Sequence, residues 1–331
     1  MEGLVGFILS VISGFGPMFF LAGLIYWLDR YEKEPKLLLG GVFGWGAIVA
    51  VIGALILQIF LGQSVLRLTG SEMMEEIFGS SLFAPVTEEI FKGLAVLLVF
   101  LFFRHEFDSI LDGIVYAAIV ALGFAATEDV LYYFSAYMES GLGGMAALVF
   151  LRLVIFGWQH AFFTAFIGIG LAMARLNHSR LVKIGAPLVG LFLAMFMHSL
   201  HNSLLTFLSG FAGLTIASLV AWTGWLFMFG FIVSLIYREK AWLAEYLKDE
   251  VSIQTITAEQ YRSASTFFGQ TQAHLAALSS GKYRATTHFY QLCGELAHKK
   301  RQLATMGEEG ENSRRVERIR SELVRLSLFI E

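Results

Sequence analysis

Cysteine and charge are both scarce in this chain, and each shortage excludes a class of protein. Cys293 is the only cysteine among 331 residues, so no disulfide can form within the chain. Charged residues make up 15% of the sequence and the net charge is -3. This balance argues against a nucleic-acid partner, because phosphate binding requires a basic surface. Apolar residues are abundant instead: 56% of the sequence is hydrophobic and the mean hydropathy is +0.65, which indicates a polytopic membrane protein.

Long apolar runs predict the membrane-spanning helices. A helix needs about 20 apolar residues to cross about 30 Å of hydrocarbon. No basic residue precedes the first run, which fits a signal peptide poorly, so we expect a retained first span. The sequence therefore predicts an all-α, polytopic membrane helical bundle of about seven transmembrane helices. These runs lie at about 4–28, 38–61, 84–103, 110–135, 146–173, 185–208 and 212–237.

The Lys and Arg residues of the connecting loops predict the orientation of the bundle. They lie after the first, third and fifth spans, whereas the alternate loops contain only Arg67. Positive loops favour the cytoplasmic side, and the tail after the last span is also rich in Lys and Arg. We therefore expect the N-terminus outside and the C-terminus in the cytoplasm. The loop residues are Arg30, Lys33, Lys36, Arg104, Arg175, Arg180 and Lys183.

Composition divides the chain into two predicted domains, a transmembrane core at 1–237 and a small cytoplasmic helical region at 238–331. The second has mixed charge and apolar residues at helical spacing, with a break near Gly307 to Gly310. Within the core, 71–78 predicts a short amphipathic helix at the outer surface. Glycines at 141, 143 and 144 fall in the predicted connection between the fourth and fifth spans.

Charged residues interrupt the third span at its start. A charge inside the membrane costs about 2.5 to 3.5 kcal/mol on insertion scales, so it needs compensation. Glu88 and Lys92 stand one helical turn apart and share a face, whereas Glu89 projects about 100° away. One interpretation is an ion pair between Glu88 and Lys92 that only neutralises itself. The other is that these groups belong to a reaction centre.

Three further spans carry polar groups at a similar depth. Glu128 lies in the fourth span, His160 in the fifth, and His198 and Asn202 share one face of the sixth. Polar groups within spans usually face one another across the bundle interior. We therefore expect all of these side chains to converge with Glu88 in the outer half of the membrane.

Two chemical routes to peptide hydrolysis fit these residue types. A carboxylate and an imidazole can deprotonate water while a second His and an Asn amide stabilise the oxyanion. Alternatively, Glu88, His160 and His198 bind zinc, which acidifies water. The sequence does not decide between them, so no cofactor is certain. Two other classes remain open: a proton-coupled secondary transporter, and an inactive membrane scaffold for the tail.

The ordered motifs resemble the PrsW family of bacterial intramembrane proteases. More distantly, the chain is similar to the superfamily of CAAX prenyl endopeptidases and bacteriocin self-immunity proteins. The resemblance covers about residues 20 to 208 and leaves the tail outside. It rests on Glu88-Glu89-x-x-Lys92, Asp112-Gly113, Gly123-x-x-x-x-Glu128-Asp129-x-x-Tyr132, Phe156-x-x-x-His160 and His198-x-x-x-Asn202.

The resemblance implies a role for each motif. It assigns water activation to Glu88 and His160 and the oxyanion hole to His198 and Asn202. It makes Glu89 and Glu128 supporting or essential carboxylates. Two positions depart from the family pattern: Asp129 stands where Asn is usual, and His201, where Trp is common, adds a further candidate ligand.

The resemblance also implies a substrate and a location. The location is the bacterial cytoplasmic membrane, where the chain would act as an intramembrane endopeptidase. Its partners are the lipid bilayer and a membrane-anchored protein, such as an anti-sigma factor, cut near the extracytoplasmic side. The sequence indicates no nucleic-acid partner and leaves the oligomeric state open.

Overall fold

The computed structural model describes nearly the whole chain. Arg30, one of the basic residues that predict the orientation, lies outside the described residues, as do Glu309 and Gly310 of the predicted break in the tail. The described residues are 2–29, 31, 33–208, 210–308 and 311–330, apart from the side chain of Phe267.

Every element of regular structure in the described residues is helical, which confirms the predicted all-α class. Turns of π-helix occupy Trp45–Ala50, Gly79–Phe83 and Phe150–Ile155, and a short 3₁₀ turn occupies Arg104–Glu106. The α-helices are α1 (Glu2–Leu28), α2 (Lys36–Gly44), α3 (Val51–Thr69), α4 (Glu72–Phe78), α5 (Ala84–Phe102), α6 (Ile110–Val149), α7 (Gln159–Arg175), α8 (Arg180–Phe207), α9 (Gly210–Ser252), α10 (Ala258–Ala264), α11 (Phe267–Ser279), α12 (Tyr283–Met306) and α13 (Asn312–Ile330).

Length and composition make five helical segments of the described chain able to cross a membrane. This confirms the predicted membrane helical bundle, and each of the seven expected spans is mostly helical, although a turn at 156–158 interrupts the fifth. Two of the seven lie in the single segment Ile110–Arg175. Another is α5, which has the length of a span but carries Glu88, Glu89 and Lys92 among its apolar residues.

The connection predicted between the fourth and fifth spans is a sharp kink at one glycine. Instead of a loop, helical structure continues to Val149, and only Gly141 departs from helical geometry, with φ of 66° and ψ of -160°. Two helices meet at this kink, and glycine fits it because L side chains rarely adopt a positive φ. Helical structure then continues through the π-helical turn at Phe150–Ile155, which ends just before α7.

Helix α6 forms the centre of the transmembrane core. Its residues from Leu111 to Ala126 are buried on every side, and it packs against α1 and α7. Glycine permits the contact with α7, because a Cβ atom on Gly113 would lie 2.3 Å from the backbone oxygen of Gly168. Small residues at such crossings let membrane helices approach closely. This approach brings the carboxylates of α6 beside the imidazole of α7.

The first turn of α6 explains Asp112. Its carboxylate accepts hydrogen bonds from the backbone N–H groups of Asp108 and Ser109, both at 2.7 Å, and Ser109 caps the helix in return. This reciprocal arrangement is a capping box, which satisfies donors that the first helical turn leaves unpaired. Asp112 therefore stabilises the start of α6.

The short helix predicted at 71–78 is also present. It is α4, and Ser71 caps its N-terminus by accepting a hydrogen bond from the backbone of Met74.

The chain forms two compact units, one of Met1–Leu28 with Glu34–Gly230 and one of Asp29–Lys33 with Phe231–Glu331. The second has its own apolar core, which includes Leu247, Phe289 and Leu323. Glu250 is fully buried beside this core and accepts hydrogen bonds from Lys300 at 2.7 Å and from Arg320 at 2.8 Å. The predicted break in this unit separates α12 from α13 at Gly307.

We expect Glu250→Ala to destabilise the second unit by about 3 kcal/mol, because it removes the buried anion shared by two cations. Alkylation of Cys293 measures this destabilisation, because Cys293 is the only cysteine of the chain and its thiol is fully buried. Burial also raises the pKa of this thiol, which keeps it unreactive while the unit is folded. Its alkylation rate should rise about 100-fold in the variant.

The matched control is Glu317→Ala, which removes the exposed carboxylate that also contacts Arg320. Surface ion pairs of this kind contribute about 0–1 kcal/mol, so labelling should change little. Equal labelling rates for both variants would contradict the structural role of Glu250.

Candidate active site

Lys92 lies at the centre of the polar cluster inside the core. Its side chain is fully buried, and its Nζ atom is 2.5 Å from Glu89 Oε1 and 3.7 Å from Glu88 Oε2. The same ammonium lies 3.3 Å from His160 Nδ1 and 4.6 Å from the ring centre of Phe124. The sequence predicted Glu88 as the partner of Lys92, but Glu89 forms the closer ion pair. Helical spacing allows both contacts, since residues three and four apart are neighbours.

Glu89 has partners for both of its carboxylate oxygens. In addition to Lys92, its Oε1 atom lies 3.0 Å from His198 Nδ1, and its Oε2 atom accepts a hydrogen bond of 2.8 Å from the Thr164 hydroxyl. The ring of His198 also stacks on Phe163, with ring centres 4.7 Å apart. Glu89 therefore fixes the orientation of this imidazole and leaves His198 Nε2 directed away from it.

Glu128 holds the second imidazole in the same manner. Its Oε2 atom lies 3.0 Å from His160 Nε2 and also accepts a hydrogen bond from the guanidinium of Arg152. Arg152 donates a further hydrogen bond to Asp129 and lies over the ring of Tyr132, 4.2 Å from its centre. Tyr132 shares a helical face with Glu128, and its ring packs against Arg152.

Glu88 differs from the other carboxylates because one of its oxygens is left free. Its Oε1 atom lies 3.5 Å from the amide nitrogen of Gln58, but the buried Oε2 atom has no hydrogen-bond partner among the described residues. His198 Nε2 is 3.9 Å from this oxygen. A buried acceptor without a partner is costly, so it indicates a position built for a proton donor or a cation.

Glu88, His160 and His198 form a set that could hold a metal ion. Each offers one ligand atom, and the three atoms lie within 4.8 Å of one another. Both imidazoles contact a carboxylate through one nitrogen, which is the usual arrangement around metal-binding histidines. The other nitrogen is Nε2 in His198 and Nδ1 in His160, and the latter lies 3.3 Å from Lys92 Nζ. Oxygen and imidazole nitrogen are ligands that zinc accepts.

The charge of the cluster also fits a divalent cation. Four carboxylates face two cations here, so two negative charges remain when every group is ionised and both histidines are neutral. Uncompensated charge is expensive inside a membrane bundle, and one divalent ion would balance it. The six groups are Glu88, Glu89, Glu128, Asp129, Lys92 and Arg152.

A cavity of about 350 Å³ opens beside these groups. Its lining includes Glu128, His160 and His198, together with Asn202 one turn further along α8. The Asn202 amide donates one hydrogen bond of 2.9 Å to the backbone oxygen of Ser80. Because an amide nitrogen carries two hydrogens, a second donor remains. The cavity has room for water and for part of a substrate chain.

The structure thus brings together Glu88, Glu89, Glu128, His160 and His198, as the sequence predicted, and places Asn202 in the wall of the same cavity. His201 also lines the cavity, but its ring packs against Phe156 and Phe163. It is not part of the set of metal ligands formed by described residues.

Three contributors were missed as site residues by sequence reasoning. Arg152 and Thr164 stood out only as polar interruptions of the fifth span, and Gln58 is a lone amide in the second. A polar side chain in an apolar span is itself a signal of function or of a polar partner. That signal cannot say which partner the side chain meets.

An all-helical membrane bundle with carboxylates and imidazoles beside a cavity is the arrangement expected of an intramembrane hydrolase. A family model described as PrsW family intramembrane metalloprotease matches residues 34–237. The chain belongs to this family, and it is an intramembrane protease.

Relatives named Protease PrsW support the same assignment. Protease PrsW of Oceanobacillus iheyensis is 32% identical over 207 residues, which cover 61% of this chain and 86% of that protein. Protease PrsW of Geobacillus kaustophilus is 27% identical over 198 residues, with 59% and 80% covered. For Protease PrsW of Bacillus subtilis the identity is 26% over 204 residues, with 60% and 84% covered. No solved structure matches this chain significantly.

We expect Lys92→Met to destabilise the transmembrane core by about 3–5 kcal/mol, because Glu89 would lose its buried counter-charge. The thermal unfolding midpoint in detergent measures this. The control is Lys36→Met, a change of the same type at an exposed position of the same unit. Equal midpoints for the two variants would show that the ion pair with Glu89 does not stabilise the core.

Proposed function

We propose that the cavity beside Glu88, His160 and His198 is where the protease hydrolyses a peptide bond of a membrane-anchored protein. The observation that carries this proposal is the free Glu88 oxygen close to both imidazoles. In the reaction, the oxygen of a water molecule bonds to the scissile carbonyl carbon and the C–N bond breaks. One water proton goes to the departing amine, and the carbonyl side becomes a carboxyl group.

Glu88, His160 and His198 are the residues that would hold a divalent metal ion, with zinc as the expected ion. Such an ion supplies Lewis acidity, which polarises a carbonyl group and acidifies water. The chain's own residues prepare this arrangement. Glu89 orients His198 through Nδ1, and Glu128 orients His160 through Nε2.

Asn202 is positioned to stabilise the oxyanion that forms on the scissile carbonyl. Its amide is fixed by the hydrogen bond to Ser80, and its remaining N–H can be directed into the cavity. Donors that are already oriented before the reaction stabilise developing charge without reorganisation.

A second candidate mechanism needs no metal. Lys92 Nζ lies 3.3 Å from His160 Nδ1 and 3.7 Å from Glu88 Oε2, so an ammonium already compensates part of the charge there. Glu88 and His160 would then deprotonate water directly, and His198 with Asn202 would form the oxyanion hole. These are the roles found in the CAAX protease and self-immunity superfamily, to which we propose a distant relationship.

The substrate we propose is a single-pass membrane protein, such as an anti-sigma factor, cut near its extracytoplasmic side. The basic loops support an outside N-terminus and a cytoplasmic C-terminus in the bacterial inner membrane. In this orientation, 1–237 forms the protease core and 238–331 a cytoplasmic helical domain. The substrate helix must unwind locally, because its own hydrogen bonds otherwise protect the scissile carbonyl.

The decisive experiment compares Glu88→Gln, His160→Ala and His198→Ala with the parent protein. Purified proteins are incubated with a panel of tagged single-pass substrates, with and without a chelator, and their zinc content is measured. We expect about one zinc per chain in the parent, chelator-sensitive cleavage, and a loss of roughly 100-fold or more in each variant.

Thr127→Val is the matched control. Thr127 precedes Glu128 on α6, and the change removes only its hydrogen bond to the backbone oxygen of Ala47. Its cleavage rate should remain close to that of the parent. Full cleavage without metal would exclude the metal mechanism but keep Glu88 as the base. Folded variants that cut as fast as the parent would contradict the proposed site.

Asn202→Ala separates oxyanion stabilisation from metal binding. We expect kcat to fall about 100- to 1,000-fold, because one oriented donor to the transition state is lost. Zinc content should not change, since Asn202 is not among the three candidate ligands. An unchanged kcat, or a loss of zinc, would contradict the role given to this amide.

A further inference from the structure

Arg152 is held by three neighbours on one turn of α6. Its guanidinium donates hydrogen bonds to Glu128 and Asp129, and it lies over the ring of Tyr132, 4.2 Å from the ring centre. It comes from the π-helical turn Phe150–Ile155, just before α7. A planar guanidinium gripped by two carboxylates and an aromatic ring has little freedom to move.

The contact with Glu128 connects Arg152 to the imidazole that would bind the metal. Arg152 and His160 both reach Oε2 of Glu128, so a single carboxylate oxygen joins them. His160 Nε2 lies 3.0 Å from this oxygen, so Nδ1, which lies 3.3 Å from Lys92 Nζ, is the nitrogen that would face a metal ion. Movement of the Glu128 carboxylate would therefore turn the His160 ring.

We propose that Arg152 is a positioning residue: it fixes Glu128 and, through Glu128, presents His160 to the metal. The inference rests on the proposed function, in which His160 is a metal ligand. Asp129 has a part in this arrangement, because it binds the other side of the guanidinium without contacting His160. The Glu128–Asp129 pair thus holds Arg152 between two carboxylates, of which only one orients an imidazole.

Positioning and simple charge compensation predict opposite effects on metal binding. If Arg152 contributed only its positive charge, its removal would leave the cluster more negative and strengthen the binding of a cation. If it positions Glu128, its removal frees the carboxylate and the His160 ring, and binding becomes weaker. The groups that support metal ligands typically contribute 10- to 100-fold in affinity.

The test measures zinc affinity of the purified full-length protein in detergent by competition with a chromogenic chelator. We expect Arg152→Gln to weaken zinc binding about 10-fold or more. Arg152→Lys keeps the charge but not the planar two-sided grip, so its affinity should lie between those of the parent and Arg152→Gln. The cobalt absorption spectrum provides a second readout, because it reports ligand geometry independently of cleavage.

A double-mutant cycle tests whether Arg152 acts through Glu128. In the Glu128→Gln background, Arg152→Gln should cause little further loss, because the connecting carboxylate is already gone. Thr127→Val serves again as the control on the same helix and should bind zinc as the parent does. Thermal unfolding midpoints identify any variant that fails to fold. If Arg152→Gln fails to fold, Arg152→Lys provides the test instead, because it keeps the positive charge.

Four outcomes would overturn the inference. The first two are tighter zinc binding and unchanged zinc binding in Arg152→Gln. The third is that Arg152→Gln weakens zinc binding as much in the Glu128→Gln background as in the parent, and the fourth is a parent protein that binds no zinc. The last would also remove the metal from the proposed function, whereas the other three leave the proposed function intact.

Discussion

The arrangement of the core depends on compensating negative charge inside an apolar bundle. Lys92 and Arg152 each lie between two carboxylates, and each holds one of those carboxylates against an imidazole. Because an uncompensated charge is costly in this environment, both cations are needed: Lys92 compensates the carboxylates of its own helix, α5, whereas Arg152 joins the turn before α7 to the carboxylates of α6. The close crossing of α6 and α7 at Gly113 and Gly168 then brings the carboxylate of one helix to the imidazole of the other.

The different partners of Glu88 and Glu89 place these two glutamates in different environments. Glu89 is satisfied at both oxygens by Lys92, Thr164 and His198, so it acts as a fixed support. Glu88, only one residue away, keeps a buried oxygen that has no hydrogen-bond partner among the described residues. That contrast makes Glu88 the group available to a metal ion or to water. Environment, rather than residue type, distinguishes Glu88 from the other carboxylates of the cluster.

Much of this site could be predicted from the sequence, because polar residues are rare in the spans and helical periodicity gives the face on which each lies. The convergence of Glu88, Glu128, His160 and His198 followed from that reasoning. Helical spacing puts both Glu88 and Glu89 within reach of Lys92 on the same helix, so the preference of Lys92 for Glu89 was not predictable. The sequence placed the connection between the fourth and fifth spans at its glycines, but it could not show that a kink at Gly141 alone makes this connection and that helical structure continues to Val149.

The central claim is that two imidazoles and the Glu88 carboxylate form one metal centre. X-ray absorption at the zinc edge of the zinc-loaded protein tests it most directly. The account predicts scattering from two imidazole rings, with nitrogen and oxygen ligands at about 2.0–2.2 Å, and the loss of one ring in His160→Ala. A spectrum without imidazole scattering, or one that is the same in His160→Ala, would contradict it.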